Sequence, residues 1–343
     1  RTAKRIRVIE NAAPLYTFFC LVCRYWARVA LCDDILIWSD QEPKRMQKST
    51  DNTFLAVVLT LVSLVLFDLM GLIIKSLSDH YSAAELSAYR NIFGLVPSGL
   101  ALWMNTQWRT GPRRLALRQW RLAAVRGVAV AIAQLTFYIS LGLMAFATAS
   151  TMAYSMSLFT VAFAVPLLGE RVGLIRWSAV AVGFLGVIMI MRPASEAFSW
   201  ELLLPVLAAV CYAYSGVTAR LIDDDVPTAL FNLYSSVVAA IVAVALAFLL
   251  TGYSSITSLY DLTMIVLMGL FGGSAVLLLV ISYRLTEPSN LAPFNYFGIP
   301  IAFALGWIFF DEAPFADLWP GAILIMGGGL LIVFRERHLI RGR

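Results

Sequence analysis

Two ionisable side chains lie inside apolar runs, Asp68 in LVSLVLFDLMGLIIK and Arg90 in AELSAYRNIFGL. Charge in an apolar span is costly, so such a group faces a cavity or a partner. Asp68 sits about seven residues from the end of its run and Arg90 about six from the start of the next, so both lie about 10 Å below one surface and can pair. Arg90 would attract a carboxylate or phosphate while Asp68 holds that residue in place or carries a coupling proton. The alternative is a structural ion pair between two helices, and the residues alone leave both open.

Further polar residues repeat this placement. Tyr154 and Tyr296 occupy equivalent places in two similar stretches, where a hydroxyl can touch a substrate and a ring can stack on it. Asn295 beside Tyr296, Gln134 and Tyr138 four apart, Tyr212 with Ser215, and Asn232 complete a candidate lining. Each can instead be a helix-to-helix hydrogen bond. Glu170 and Glu312 precede new helices, where a carboxylate favours the positive end of the helix dipole, so they are expected to fix turns.

The elements that must position these residues are membrane spans. Sixty per cent of the residues are hydrophobic, 14% are charged and the mean hydropathy is +0.79, whereas soluble chains are about a quarter charged. Runs of about 20 apolar residues, enough to cross a bilayer, are predicted at 54–75, 84–104, 122–144, 149–168, 174–191, 199–219, 229–251, 262–284, 290–310 and 317–334. Residues 1–45 stand apart. They hold three of the four cysteines, and their longest apolar run, Pro14 to Cys23, is too short to span. They precede the first methionine, Met46, and read as upstream or cloning-derived sequence with no packed structure.

The chain contains itself twice. At an offset of 142 residues Gly127 meets Gly269, Ser140 meets Ser282, Tyr154 meets Tyr296, Glu170 meets Glu312 and Trp177 meets Trp319. The copies are predicted at 46–193 and 194–343, with five helices each. An odd number inverts the second copy, the arrangement that serves alternating access with substrate between the halves. The match is imperfect. Arg90 and Asp68 become Asn232 and Val210, and Pro300 faces Leu158, so a kink at Pro300 need not recur in the first copy. Gly183 and Gly186, and Gly327 to Gly329, suit close helix packing.

Arg109, Arg113, Arg114, Arg118, Arg121, Arg171, Arg176, Arg220, Arg284 and the arginine-rich tail all fall on one side, while the other side offers Lys75 and Arg192. The positive-inside rule then puts both termini in the cytoplasm. The sequence pI near 9.1 reflects this topology and implies no nucleic-acid partner.

Ten helices in two five-helix repeats, with the fourth of each ending LLGER or FFDEA before a glycine-bearing fifth, resemble the drug/metabolite transporter superfamily, EamA type, over residues 54 to 335. Gly142 to Pro193 is most similar to proteobacterial members. The resemblance implies an all-α integral membrane protein of ten transmembrane helices in two inverted five-helix repeats, in a bacterial cytoplasmic membrane. It also implies transport of a small organic metabolite by alternating access. Members include amino-acid and drug exporters, metabolite importers and lipid-linked sugar flippases. A flippase, or a membrane receptor or assembly subunit that transports nothing, remains the alternative.

Enzyme chemistry finds no support. The two histidines, His80 and His338, fall in a loop and the tail, and no HExxH, Walker loop or Ser-Asp-His set is present. No cofactor or metal is expected, and energy would come from an ion gradient or exchange. The expected partners are a small-molecule substrate, the lipid bilayer and, as a candidate coupling ion, the proton.

Overall fold

In a computed structural model, residues 53–105, 108–109, 117–169, 173–191, 199–223, 226–256, 258–286, 291–312, 318–325 and 327 are described here. Residues 1–45, Glu170 and the glycines at 328 and 329 lie outside them. Every described element is helical, as hydrocarbon demands of a backbone that must satisfy its own hydrogen bonds.

Span 1 is Thr53–Leu77, span 2 Ala83–Met104, span 3 Trp120–Leu143 and span 5 Leu174–Met191. Span 4 is split into Phe146–Tyr154 and Met156–Leu168. In the second copy, span 6 is built on Leu203–Thr218, span 7 is Thr228–Leu250 and span 8 is Leu259–Leu285. Span 9 begins as a 3-10 turn, Ala292–Phe297, and continues as the α-helix Gly298–Phe310, after which helical residues 321–325 belong to span 10. Among the described residues six helical stretches are long and apolar enough to cross a membrane, counting the two halves of span 4 together and span 6 with its flanking 3-10 turns. Large apolar side chains such as Phe248, Ile241 and Trp307 stay exposed on the outer flanks, where acyl chains would cover them.

The packing obeys the repeat. Span 1 packs on span 8 and span 6 on span 3; span 2 packs on span 8 and span 7 on span 3; span 4 packs on span 6 and span 9 on span 1. Exchanging the copies turns each contact into its partner, while the 2–7 and 4–9 contacts map onto themselves. That is the signature of a two-fold axis between the halves. Glycines allow the closest crossings. A Cβ on Gly273 in span 8 would overlap the backbone of Gly94 in span 2, and Gly186 in span 5 and Gly321 near span 10 block one another in the same way.

The repeat also reaches the helix ends. Span 4 stops at Gly169 with φ 67°, and span 9 stops at its counterpart Asp311 with φ 52°, both left-handed. Glycine adopts this conformation freely, and aspartate is among the few other residues that visit it. Span 2 opens with a capping box, in which Ser82 Oγ accepts from Glu85 N at 3.2 Å and Glu85 Oε2 accepts from Ser82 N at 2.8 Å.

This cap geometry makes a testable difference. Asp311→Gly should keep or raise the melting temperature in detergent, and Asp311→Val should cost about 1–2 kcal/mol, the penalty of a left-handed β-branched residue. Equal melting of the two variants would show that this turn carries no strain.

Candidate functional site

Both broken helices break at the same place. The helical hydrogen bonding of span 4 is interrupted at Ser155, whose N–H bonds back to Met152 O at 3.2 Å. The 142-residue counterpart of Ser155 is Phe297, the last residue of the 3-10 turn of span 9. The break is therefore matched in the two copies although Pro300, which faces Leu158, is not. Pro300 lies in the first turn of Gly298–Phe310, where no intrahelical donor is needed.

The two breaks touch. A Cβ on Gly298 would overlap the ring of Tyr154, so span 9 passes against that ring because residue 298 has no side chain. The Tyr154 hydroxyl donates to Asp68 Oδ1 at 2.7 Å. A helix break in one copy thus joins its counterpart in the other copy and the buried acid of span 1.

Around this junction lies a cavity of about 90 Å³, walled by spans 1, 3, 4, 6 and 8. Its polar walls include Asp68, Arg126, Ser150, Tyr154, Tyr212 and Ser215, and Phe67, Phe137 and Phe146 supply aromatic surface. Cavities that enclose a whole organic ligand are roughly 300 Å³ or more, so this conformation is contracted around its polar groups.

Three of the nine expected site residues, Asp68, Tyr154 and Tyr212, line this cavity. The other six lie elsewhere. Arg90 does not pair with Asp68. Its Nη2 donates to Gly272 O at 2.7 Å and its Nη1 to Asn91 Oδ1 at 3.1 Å, at the crossing of spans 2 and 8. Gln134 accepts from Asn91 Nδ2 and Ser87, a polar link between spans 2 and 3. Tyr138 is buried with its hydroxyl 3.8 Å from Met70 Sδ. Asn232 donates to Ser98 Oγ at 2.8 Å, and Asn295 and Tyr296 are buried in the turn of span 9.

Arg126 escaped the sequence reading. It lies in span 3, is 2% exposed, and donates from Nε to Ser215 O at 2.9 Å and from Nη1 to Asn232 Oδ1 at 3.3 Å. Its guanidinium also covers the Phe231 ring at 5.2 Å. An arginine four residues inside an apolar run was signal enough, but it stands next to the basic loop and reads as its last member.

Among the described residues most buried polar atoms without a hydrogen-bond partner gather near the breaks, while Arg90 Nε and Trp108 Nε1 lie away from them. Those near the breaks include Asp68 Oδ2, Thr151 Oγ1, Ser157 Oγ and both amide atoms of Asn295. Unsatisfied groups are costly in an apolar interior and mark places with a role beyond packing.

Polar ties close the end that carries Lys75. Lys75 Nζ binds Glu312 at 2.8 and 2.9 Å and Met144 O at 3.0 Å, over the Phe310 ring. Glu312 also accepts from Phe146 N at 2.9 Å. Glu312 faces the N-terminus of span 4, and the residues that lead from it into the following helix, 313–317, lie outside the described residues. At the same end Tyr81 donates to Asp261 at 3.0 Å, and Glu85 accepts from Ser254 N. At the other end Arg284 Nη1 donates to Val226 O at 2.7 Å and Thr228 Oγ1 at 2.9 Å.

The EamA-like transporter family model matches this chain twice, at residues 54–192 and 199–334. The chain belongs to that family. It is therefore a multi-pass membrane protein of the drug/metabolite transporter type, with two copies of the EamA-like domain. Among its relatives, an S-adenosylmethionine uptake transporter of Rickettsia conorii is 26% identical over 81% of this chain and 92% of its own length. A riboflavin transporter of Rhizobium johnstonii is 32% identical over 49% of this chain and 55% of that protein, so only about half of its length is matched. A pseudopaline exporter of Pseudomonas aeruginosa is 25% identical over 81% and 93% of the two chains. A crystal structure 19% identical in sequence superposes with a TM-score of 0.62 over 83% of this chain and 98% of that one, a likeness of fold.

The Asp68–Tyr154 contact is measurable. In a double-mutant cycle of Asp68→Asn and Tyr154→Phe, read by thermal stability in detergent, the coupling should be about 1–3 kcal/mol, as expected of a buried hydrogen bond to a carboxyl group. Additive effects would mean that the contact contributes nothing.

Proposed function

We propose that this EamA-family protein is a secondary transporter that moves a small organic metabolite across a bacterial cytoplasmic membrane by alternating access, with its site in the cavity at the Tyr154–Gly298 junction. The observation that carries this reading is the meeting of two repeat-related helix breaks beside a buried carboxyl group. Discontinuous helices at the interface of inverted repeats are where such carriers bind their cargo. The polar groups around the cavity count against a receptor or assembly subunit that needs no cavity. Its aromatic walls suit an amino-acid-like, aromatic or amphipathic compound better than a bare ion. The relatives named for S-adenosylmethionine, riboflavin and pseudopaline span import and export, and they support the metabolite class without choosing among its members.

In this reading both termini are cytoplasmic and the Lys75 end faces outward, closed by the Lys75–Glu312 ion pair. Substrate would leave or enter on that side after Glu312 releases Lys75 and the N-terminus of span 4. Asp68, whose Oδ2 has no partner, is the group able to carry a coupling proton. Arg90, Gln134, Tyr138, Asn232, Asn295 and Tyr296 lie outside the cavity and act as supports that hold the spans around it.

The test uses the full chain in proteoliposomes and labelled amino acids, S-adenosylmethionine, flavins and nucleosides, with and without an imposed pH gradient. Saturable flux of one compound is expected, lowered at least tenfold in Tyr154→Phe. Flux of nothing in folded protein would remove the transport reading, and a flux indifferent to the gradient would remove proton coupling. Lys75→Ala should also increase labelling of Ser150→Cys by a membrane-impermeant thiol reagent. Unchanged labelling would show that the ion pair does not close that end.

A further inference from the structure

Two residues that line the cavity carry unfilled hydrogen-bonding positions of opposite sign. Arg126 uses Nε on Ser215 O and Nη1 on Asn232 Oδ1, and among the described residues its Nη2 donates to nothing. Asp68 uses Oδ1 on Tyr154, and its Oδ2 accepts from nothing. Both residues line the same cavity, and among the described residues Asp68 forms no ion pair with Arg126 or Arg90. Each is nearly fully buried, at 2% and 3% exposure.

A buried charge whose partners are incomplete is costly, and the cost falls when a ligand supplies the missing partner. One carboxyl group and one guanidinium on separate walls are complementary to a molecule with a cationic group at one place and an anionic group at another. We infer that the transported substrate is a zwitterion, whose anionic group binds Arg126 Nη2 and whose cationic group, an ammonium or sulfonium, binds Asp68 Oδ2. The inference rests on the transport reading above and names the substrate class of that site. It moves the anion contact from Arg90, whose Nη1 and Nη2 are engaged at a helix crossing and which does not line the cavity, to Arg126, which does. The carbon skeleton then meets Phe67, Phe137 and Tyr212.

Such a site discriminates by leaving one of its own charges unpaired. An ester of the substrate has lost the partner of Arg126, and an N-acetyl derivative has lost the partner of Asp68. Either analogue strands a buried charged group, and this rejects more strongly than a missing apolar contact does.

The experiment compares uptake by the full chain, reconstituted in proteoliposomes, of zwitterionic α-amino acids including a sulfonium member, of their methyl esters and of their N-acetyl derivatives. Riboflavin and uridine serve as compounds without that charge pair. In wild-type protein at least one zwitterion should be transported at least about tenfold better than both of its derivatives, the discrimination of one charged hydrogen bond. Arg126→Gln should lower zwitterion uptake more than ester uptake and so remove that preference over the methyl ester, Arg126→Lys should restore part of it, and Asp68→Asn should remove the preference over the N-acetyl form. The wild-type comparison stands even where a variant fails to fold. Transport of riboflavin or uridine with no zwitterion transported would overturn the inference and leave the transport reading intact. Equal loss of zwitterion and ester in folded Arg126→Gln would overturn it too, since that is the mark of a purely structural arginine. Flux of no compound at all would overturn both.

Discussion

The hydrogen bond from Tyr154 to Asp68 is the interaction on which the centre of the molecule depends. A carboxyl group 3% exposed inside a stack of apolar helices has no water to turn to, so the protein must provide its partners. It provides one, from the last residue before the break in span 4. The same tyrosine ring lies against the backbone of Gly298 at the break in span 9. One side chain therefore ties span 1 and the interrupted helices of both copies, and movement of any of these three must alter that contact.

Around this centre symmetric scaffold and asymmetric chemistry are separated. The exchange of span contacts, the aligned breaks and the left-handed caps at Gly169 and Asp311 all follow the two-fold repeat. The charged groups buried inside the spans do not. Asp68 corresponds to Val210, Arg90 to Asn232 and Arg126 to Met268. Halves that can exchange conformations need similar backbones, because the energies of the two states must stay close. Recognition of one substrate has no such requirement, and a charge repeated in both halves would double the burial cost.

The polar ties at the two ends differ as well. The Lys75 end is held by an ion pair, Lys75 to Glu312, and by Tyr81 to Asp261, and the contacts of Arg284 at the other end include carbonyl groups and the Thr228 hydroxyl. Glu312 joins the end of span 9 to the start of span 4, so the breaks at the centre and the tie at the Lys75 end lie on the same two spans.

Hydropathy by itself determined the spans, and the 142-residue offset determined two copies with opposite directions, because crossing hydrocarbon fixes helix length and an odd helix count fixes inversion. The ends of spans 4 and 9 at LLGER and FFDEA were legible as well, while the left-handed conformation of Gly169 and Asp311 there came from the structure. What only the tertiary structure decided was which polar groups meet. Asp68 and Arg90 share a depth, yet Asp68 turns to Tyr154 and Arg90 to Gly272 O. Arg126, adjacent in sequence to a basic loop, reaches the central cavity. Spacing fixes the face of a helix on which a residue lies, but the rotation of that helix against its neighbours is set by side-chain packing between spans far apart in the chain. The cavity is a product of those rotations.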